Sequence, residues 1–146
     1  VLSKNPNWMT LSCGVNDVWH GKRGVNLADY KTNITKIVER CQEAGVKVVL
    51  LTSTMIGEDK NNANNKKLAT YNDFLKELAK EKKCLLADLN ARMQSIIEAS
   101  SDKKNGKLLT SDGVHMNPDG NKMMATGVLE ALGLNAEQIK AAQAAW

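Results

Sequence analysis

Apolar positions along this chain fall alternately into short continuous runs and into helical spacings, and each change of spacing marks a new element. Residues 8–13, Trp8-Met9-Thr10-Leu11-Ser12-Cys13, form a hydrophobic run of strand length and predict a buried strand. Between Leu27 and Ala44 the apolar residues Ile34, Ile37, Val38 and Cys41 keep to one helix face, with Gly45 behind them as a stop. Val46-Lys47-Val48-Val49-Leu50-Leu51 is rich in β-branched residues and is the strongest strand signal in the chain. An Asn-rich segment at 57–65 predicts an exposed loop. After it, Leu68, Tyr71, Leu75, Leu78 and Ala79 outline an amphipathic helix. Cys84-Leu85-Leu86-Ala87-Asp88-Leu89 predicts a third strand, Met93, Ile96 and Ile97 another helix, and 101–106 a loop. Pro118 suits the first turn of a helix that runs through Met123, Met124, Val128 and Leu132 to a stop at Gly133. An alanine-rich helix over 136–145 closes the pattern.

Strands separated by helical patterns imply an α/β fold with a parallel sheet and right-handed crossovers. Ligands of such sheets gather beyond the carboxyl ends of the strands. No repeat or break in composition divides residues 1–146, so one domain is expected. A length of 146 residues, 42% hydrophobic and 25% charged, suffices for a single core. No apolar run approaches the roughly 20 residues of a membrane span. Cys13, Cys41 and Cys84 are odd in number and widely spaced, which suits buried free thiols better than a disulfide framework or a zinc site. The net charge of +4 is carried by dispersed lysines, and aromatics make up only 4%. A nucleic-acid surface wants clustered cations with stacking rings, so none is expected. No cofactor is expected either.

Two stretches nearly a hundred residues apart hold the candidate chemistry. Asp112-Gly113-Val114-His115, with Pro118 and Gly120 just beyond, suits a loop that presents an imidazole beside a carboxylate able to orient it. That pair is the base half of a Ser-His-Asp device. Gly14-Val15-Asn16-Asp17 follows the first strand, which puts Asn16 in a loop where its side-chain amide suits an oxyanion donor. Asp17 is expected to brace that loop. Trp19 and His20 are candidates to border a substrate pocket, with packing as the alternative role. Asn117 and Asp119 are expected to cap the next helix. Asp17-Val18-Trp19-His20 and residues 112–115 are both D-x-x-H and contain the two histidines of the chain. Brought together, they would offer a divalent-metal site and metal-assisted hydrolysis. Neither stretch has a helical i, i+4 histidine pair, and no metal is expected.

Together the two stretches resemble the third and fifth sequence blocks of the SGNH (GDSL-type) hydrolases, a family of esterases, lipases and acylhydrolases. The resemblance implies the three-layer α/β/α, flavodoxin-like SGNH fold and hydrolysis of carboxylic esters by a serine nucleophile. It also implies that His115 is the base, Asp112 its orienting carboxylate and Asn16 an oxyanion donor. Residues 14–21 are most similar to small-ester and carbohydrate O-deacetylating members. The first block, Gly-Asp-Ser, is absent. No serine follows a Gly-Asp pair and none lies in a G-x-S-x-G elbow; Ser3, Ser12, Ser53 and Ser111 all have other contexts. In the family the nucleophile follows the first strand, and a glycine of the second block gives another oxyanion donor. The chain is therefore expected to be the C-terminal portion of a domain that is N-terminally incomplete, with the serine upstream of Val1. The missing N-terminal segment, or a second copy of the chain, is expected to cover the sheet edge left at residues 8–13. The alternative from another class is a non-catalytic carbohydrate-binding relative.

Overall fold

Three parallel strands form the sheet: β1 (Trp8–Ser12), β2 (Lys47–Leu51) and β3 (Leu85–Ala87), in the order β1-β2-β3. The computed structural model describes residues 1–101 and 107–144. β2 is central and buries Val48, Val49, Leu50 and Leu51, as a parallel strand covered on both faces does. Between and after the strands run α1 (Val15–Trp19), α2 (Leu27–Glu43), α3 (Ala63–Glu81), α4 (Leu89–Ala99), α5 (Pro118–Ala131) and α6 (Ala136–Gln143). Helices α2 to α6 open on Asn26, Asn62, Asp88, Asn117 and Asn135, and each of these side chains accepts the backbone N–H three residues on. One otherwise orphaned donor per helix is satisfied in this way.

Helices α2 and α3 cover one face of the sheet. Tyr30, Ile34 and Val38 of α2 and Leu68, Tyr71 and Leu75 of α3 pack with Val48 and Leu50, and the half-buried Met9 and Leu11 join them. On the other face Val49, Leu51 and Ala87 meet Met124 and Val128 of α5. A third cluster of Met55, Met93, Leu109 and Met123 ties α4 and α5 to the loops. Each fully buried side chain of this size contributes about 1.5–3 kcal/mol. The architecture is the three-layer α/β/α arrangement with a parallel sheet.

Several local expectations are corrected. Strand β1 is not buried: Trp8, Thr10 and Ser12 are exposed, because β1 is a sheet edge and α5 packs over β2 and β3 instead. Asn16 lies in the first turn of the short helix α1, not in a loop. Leu89 begins α4 rather than ending β3. The segment 57–65 is only partly exposed; α3 starts at Ala63, and Asn65 is buried with its amide bonded to the backbone of Ile56, Gly57 and Asp59. Of the cysteines only Cys41 is buried. Cys13 sits at the open carboxyl end of β1 and is exposed, and Cys84, just before the short β3, is intermediate. The expected loop 101–106 falls, from 102 on, outside the described residues, as does residue 145 of the expected final helix.

Candidate active site

The Asp112 to His115 stretch closes a tight loop between α4 and α5. Gly113 takes φ +97°, a left-handed turn that other residues resist. This lets one oxygen of Asp112 accept the N–H groups of Val114 (2.9 Å) and His115 (2.8 Å). The other oxygen lies 2.7 Å from His115 Nδ1. The His115 ring, followed by the His115 and Val114 N–H groups, holds the Asp112 carboxyl well below the usual carboxylate range. A carboxylate on Nδ1 fixes the ring proton there and leaves Nε2 as the basic nitrogen. Nε2 makes no hydrogen bond among the described residues, and the His115 side chain is 69% exposed.

The second part is built at the carboxyl ends of β1 and β2. Residues 12–17 and Ser53 line a shallow cavity of about 220 Å³. The Cys13 carbonyl accepts two hydroxyls, from Ser53 (2.7 Å) and Tyr30 (2.9 Å). Burial, then the neighbouring Cys13 and Asp17, push the Tyr30 hydroxyl far up, so it stays a donor. Gly14 follows with φ +125°, and a Cβ there would come 2.5 Å from Ser53 Oγ. The backbone is thereby turned into α1 so that Asn16 is exposed at its first turn, with a side-chain amide that makes no hydrogen bond among the described residues. Asp17 does brace the segment, accepting the Val25 N–H at 3.1 Å.

Trp19, one helical turn after Asn16, joins the two parts. Its ring meets His115 edge-on at 6.1 Å and stacks on His20 at 5.2 Å, and both residues are exposed. Asn117 caps α5 as expected. The two D-x-x-H stretches do not converge on a metal: among the described residues no three His, Cys, Asp or Glu side chains form a set of that kind. The hydroxyl of Ser53 is spent on Cys13 and that of Ser111 on the His115 carbonyl, so neither reaches the imidazole. Sequence reasoning missed Ser53, Tyr30 and Glu58, whose carboxylate holds residues 108–110. Each acts on a segment 17 to 52 positions away, and no short motif announces such a pairing.

A family model described as the GDSL-like Lipase/Acylhydrolase family matches residues 1–123. The chain is 21% identical over 140 residues to an acetylxylan esterase of Geobacillus stearothermophilus, over 91% of this chain and 62% of that protein. A crystal structure of acetylxylan esterase from that organism superposes with a TM-score of 0.83 at 21% identity, over 92% of this chain and 63% of the other. LAE5, an alpha/beta hydrolase enzyme from the metagenome of Lake Arreo, Spain, superposes with a TM-score of 0.81 at 24% identity, over 93% and 64%. The chain thus spans less than two thirds of the length of these relatives. The structural likeness shows that the three-layer sheet is the SGNH-type fold.

Proposed function

Because this chain belongs to the GDSL-like lipase/acylhydrolase family, we propose that it carries the base and oxyanion half of a serine esterase that acts on small acyl or carbohydrate O-acetyl esters. The observation that carries this reading is His115: Nδ1 is held by Asp112 at 2.7 Å while Nε2 is free at the carboxyl edge of the sheet, beside the α1 helix that bears Asn16. A serine from outside these 146 residues attacks the ester carbonyl, and His115 Nε2 takes its proton. Asn16 donates to the oxyanion that forms, and Asp112 stabilises the imidazolium. His115 then protonates the leaving alcohol, and water repeats the sequence on the acyl-enzyme. Trp19 and His20 offer exposed ring faces to the alcohol portion of the substrate.

The matched acetylxylan esterase lends support. Catalytic mutants of it have been solved that replace a serine, an aspartate and a histidine by alanine, the last two three positions apart like Asp112 and His115. The second reading is a non-catalytic sugar-binding relative; the Ser53 and Ser111 hydroxyls, committed to carbonyls, supply the nucleophile in neither reading. The test is hydrolysis of p-nitrophenyl acetate and of an acetylated xylo-oligosaccharide by the protein that includes the segment before Val1. The expected outcome is turnover that His115→Ala lowers by about 100- to 10,000-fold. Oligosaccharide binding without turnover supports the second reading instead. Labelling of Ser12, Ser53 or Ser111 by a serine-directed phosphonate would overturn the external nucleophile.

A further inference from the structure

Glu58 sits in a turn between β2 and α3, fifty residues from the loop it touches. One of its oxygens accepts the Leu109 N–H (2.8 Å), the Thr110 N–H (2.9 Å) and the Thr110 hydroxyl (2.9 Å); the other accepts the Leu108 N–H at 2.6 Å. Three successive backbone donors and a hydroxyl thus converge on one half-buried carboxylate, and among the described ion pairs no lysine or arginine meets it. Charge-assisted bonds of this kind are about twice as strong as neutral ones. All four come from the base of the loop that ends in Asp112 and His115.

The tip of the loop is gripped from the same turn. The Gly57 N–H donates to the Gly113 carbonyl at 2.5 Å, between the two residues of the pair. The base is closed by the Thr110–Met116 bridge, by Ser111 N–H to the His115 carbonyl (2.9 Å), and by Asn117 on the Leu108 and Leu109 carbonyls (both 3.0 Å). The turn is itself fixed. Asn65 of α3 accepts the Ile56 N–H at 2.8 Å and donates to the carbonyls of Ile56 (3.0 Å), Gly57 (3.2 Å) and Asp59 (2.8 Å). A continuous set of hydrogen bonds therefore runs from the rigid helix α3 through Glu58 to the loop. The side chains of Asp112 and His115 supply no such anchor themselves, since both are exposed and hydrogen-bond within the 112–115 segment.

We propose that Glu58 is a positioning residue of the esterase site: its carboxylate registers the 108–117 loop against the sheet edge and so sets where the His115 imidazole stands. The proposal rests on the esterase reading for its kinetic consequence but not for its structural one. A displacement of about 1 Å in a catalytic group costs on the order of 100-fold in rate. Glu58→Ala should therefore lower kcat on p-nitrophenyl acetate by about that factor while KM changes little. Glu58→Gln keeps the shape and one good acceptor, and should lose less.

The decisive arm is a cycle with Asp112→Asn. If Glu58 acts through the pair, Asp112→Asn costs clearly less in the Glu58→Ala background than in the parent; additive losses would overturn the proposal, because they assign Glu58 a general structural role. A second arm needs no activity. The chain has two histidines, so the His115 ring signals are readily followed by NMR. Glu58→Gln should broaden or shift them and speed amide exchange at Leu109 and Thr110 while leaving the bulk spectrum unchanged. Unaltered His115 signals in a folded variant would sink the idea. A protein that shows the NMR effect but never hydrolyses an ester would keep the anchor and lose the esterase reading.

Discussion

At the scale of single residues, the proposed chemistry depends on one carboxylate kept charged and one amide kept unpaired. The His115 ring and two N–H groups stabilise ionised Asp112 in the folded loop and lower its pKa. The stabilisation is therefore fully present above the ordinary aspartate value of about 3.9 and is lost only as pH falls through the lower folded-state value. The side-chain carboxyl carbon of Asp112, followed by NMR, should show a protonation midpoint below the ordinary carboxylate range; a midpoint at or above that range would contradict the geometry. Asn16 makes a contrasting case. It is exposed and its side chain bonds to nothing described, so Asn16→Ala should leave the melting temperature almost unchanged. Removal of a single oxyanion donor nonetheless costs about 100- to 1,000-fold in kcat. A large fall in stability with little loss of rate would assign Asn16 to packing instead.

Between residue and sheet, elements hand position to one another. Asn72 of α3 is 2% exposed and clamps the backbone of Ser53, accepting its N–H (2.7 Å) and donating to its carbonyl (3.0 Å). Ser53 in turn holds the Cys13 carbonyl, from which Gly14 turns the chain into α1. Asn72→Ala leaves the Ser53 N–H buried without a partner, while Asn90 still serves the carbonyl. The expected cost is about 1–3 kcal/mol in urea unfolding, with a fall in kcat as Asn16 loses its support. A neutral result would show that Ser53 needs no clamp. The elements themselves were mostly legible in the sequence because α2, α3 and α5 carry local signals, a capping Asn and apolar residues on one face. The pair of Asp112 and His115 was legible for the same reason, being closed within four residues. What was not legible depends on distance along the chain. The five-residue helix α1 has too few turns to show a period, and the anchoring residues Glu58, Ser53 and Asn72 look like ordinary loop or helix polar groups until the fold brings their partners to them. The exposure of β1 was misjudged because an apolar run reports what a strand can bury, and only the neighbours decide what it does bury.

For the whole molecule, the arrangement around β1 is the least settled energetically. Trp8, Thr10 and Ser12 point to the same side of the sheet as Lys47, Val49 and Leu51, their partners in register. Over β2 and β3 that side is covered by α5, but over β1 it is open, and Trp8 stays 44% exposed with the Lys47 ammonium 5.1 Å from its ring. The outer backbone of β1 also lacks a strand partner among the described residues. Parallel strands are almost always covered on both faces, and an unpaired edge templates further pairing. No charged side chain lies within β1 to discourage it. The 146-residue chain by itself should therefore associate or bind a hydrophobic dye. Light scattering after size exclusion reads this directly. Thr10→Lys puts a charge on the open face, opposite Val49, without touching the core side formed by Met9 and Leu11. It should shift the chain toward monomer while the cooperativity of unfolding is kept. A monodisperse 16.0 kDa species in the parent, unfolding cooperatively and binding no dye, would show that three strands and their helices are a sufficient unit and that the open side of β1 needs no cover.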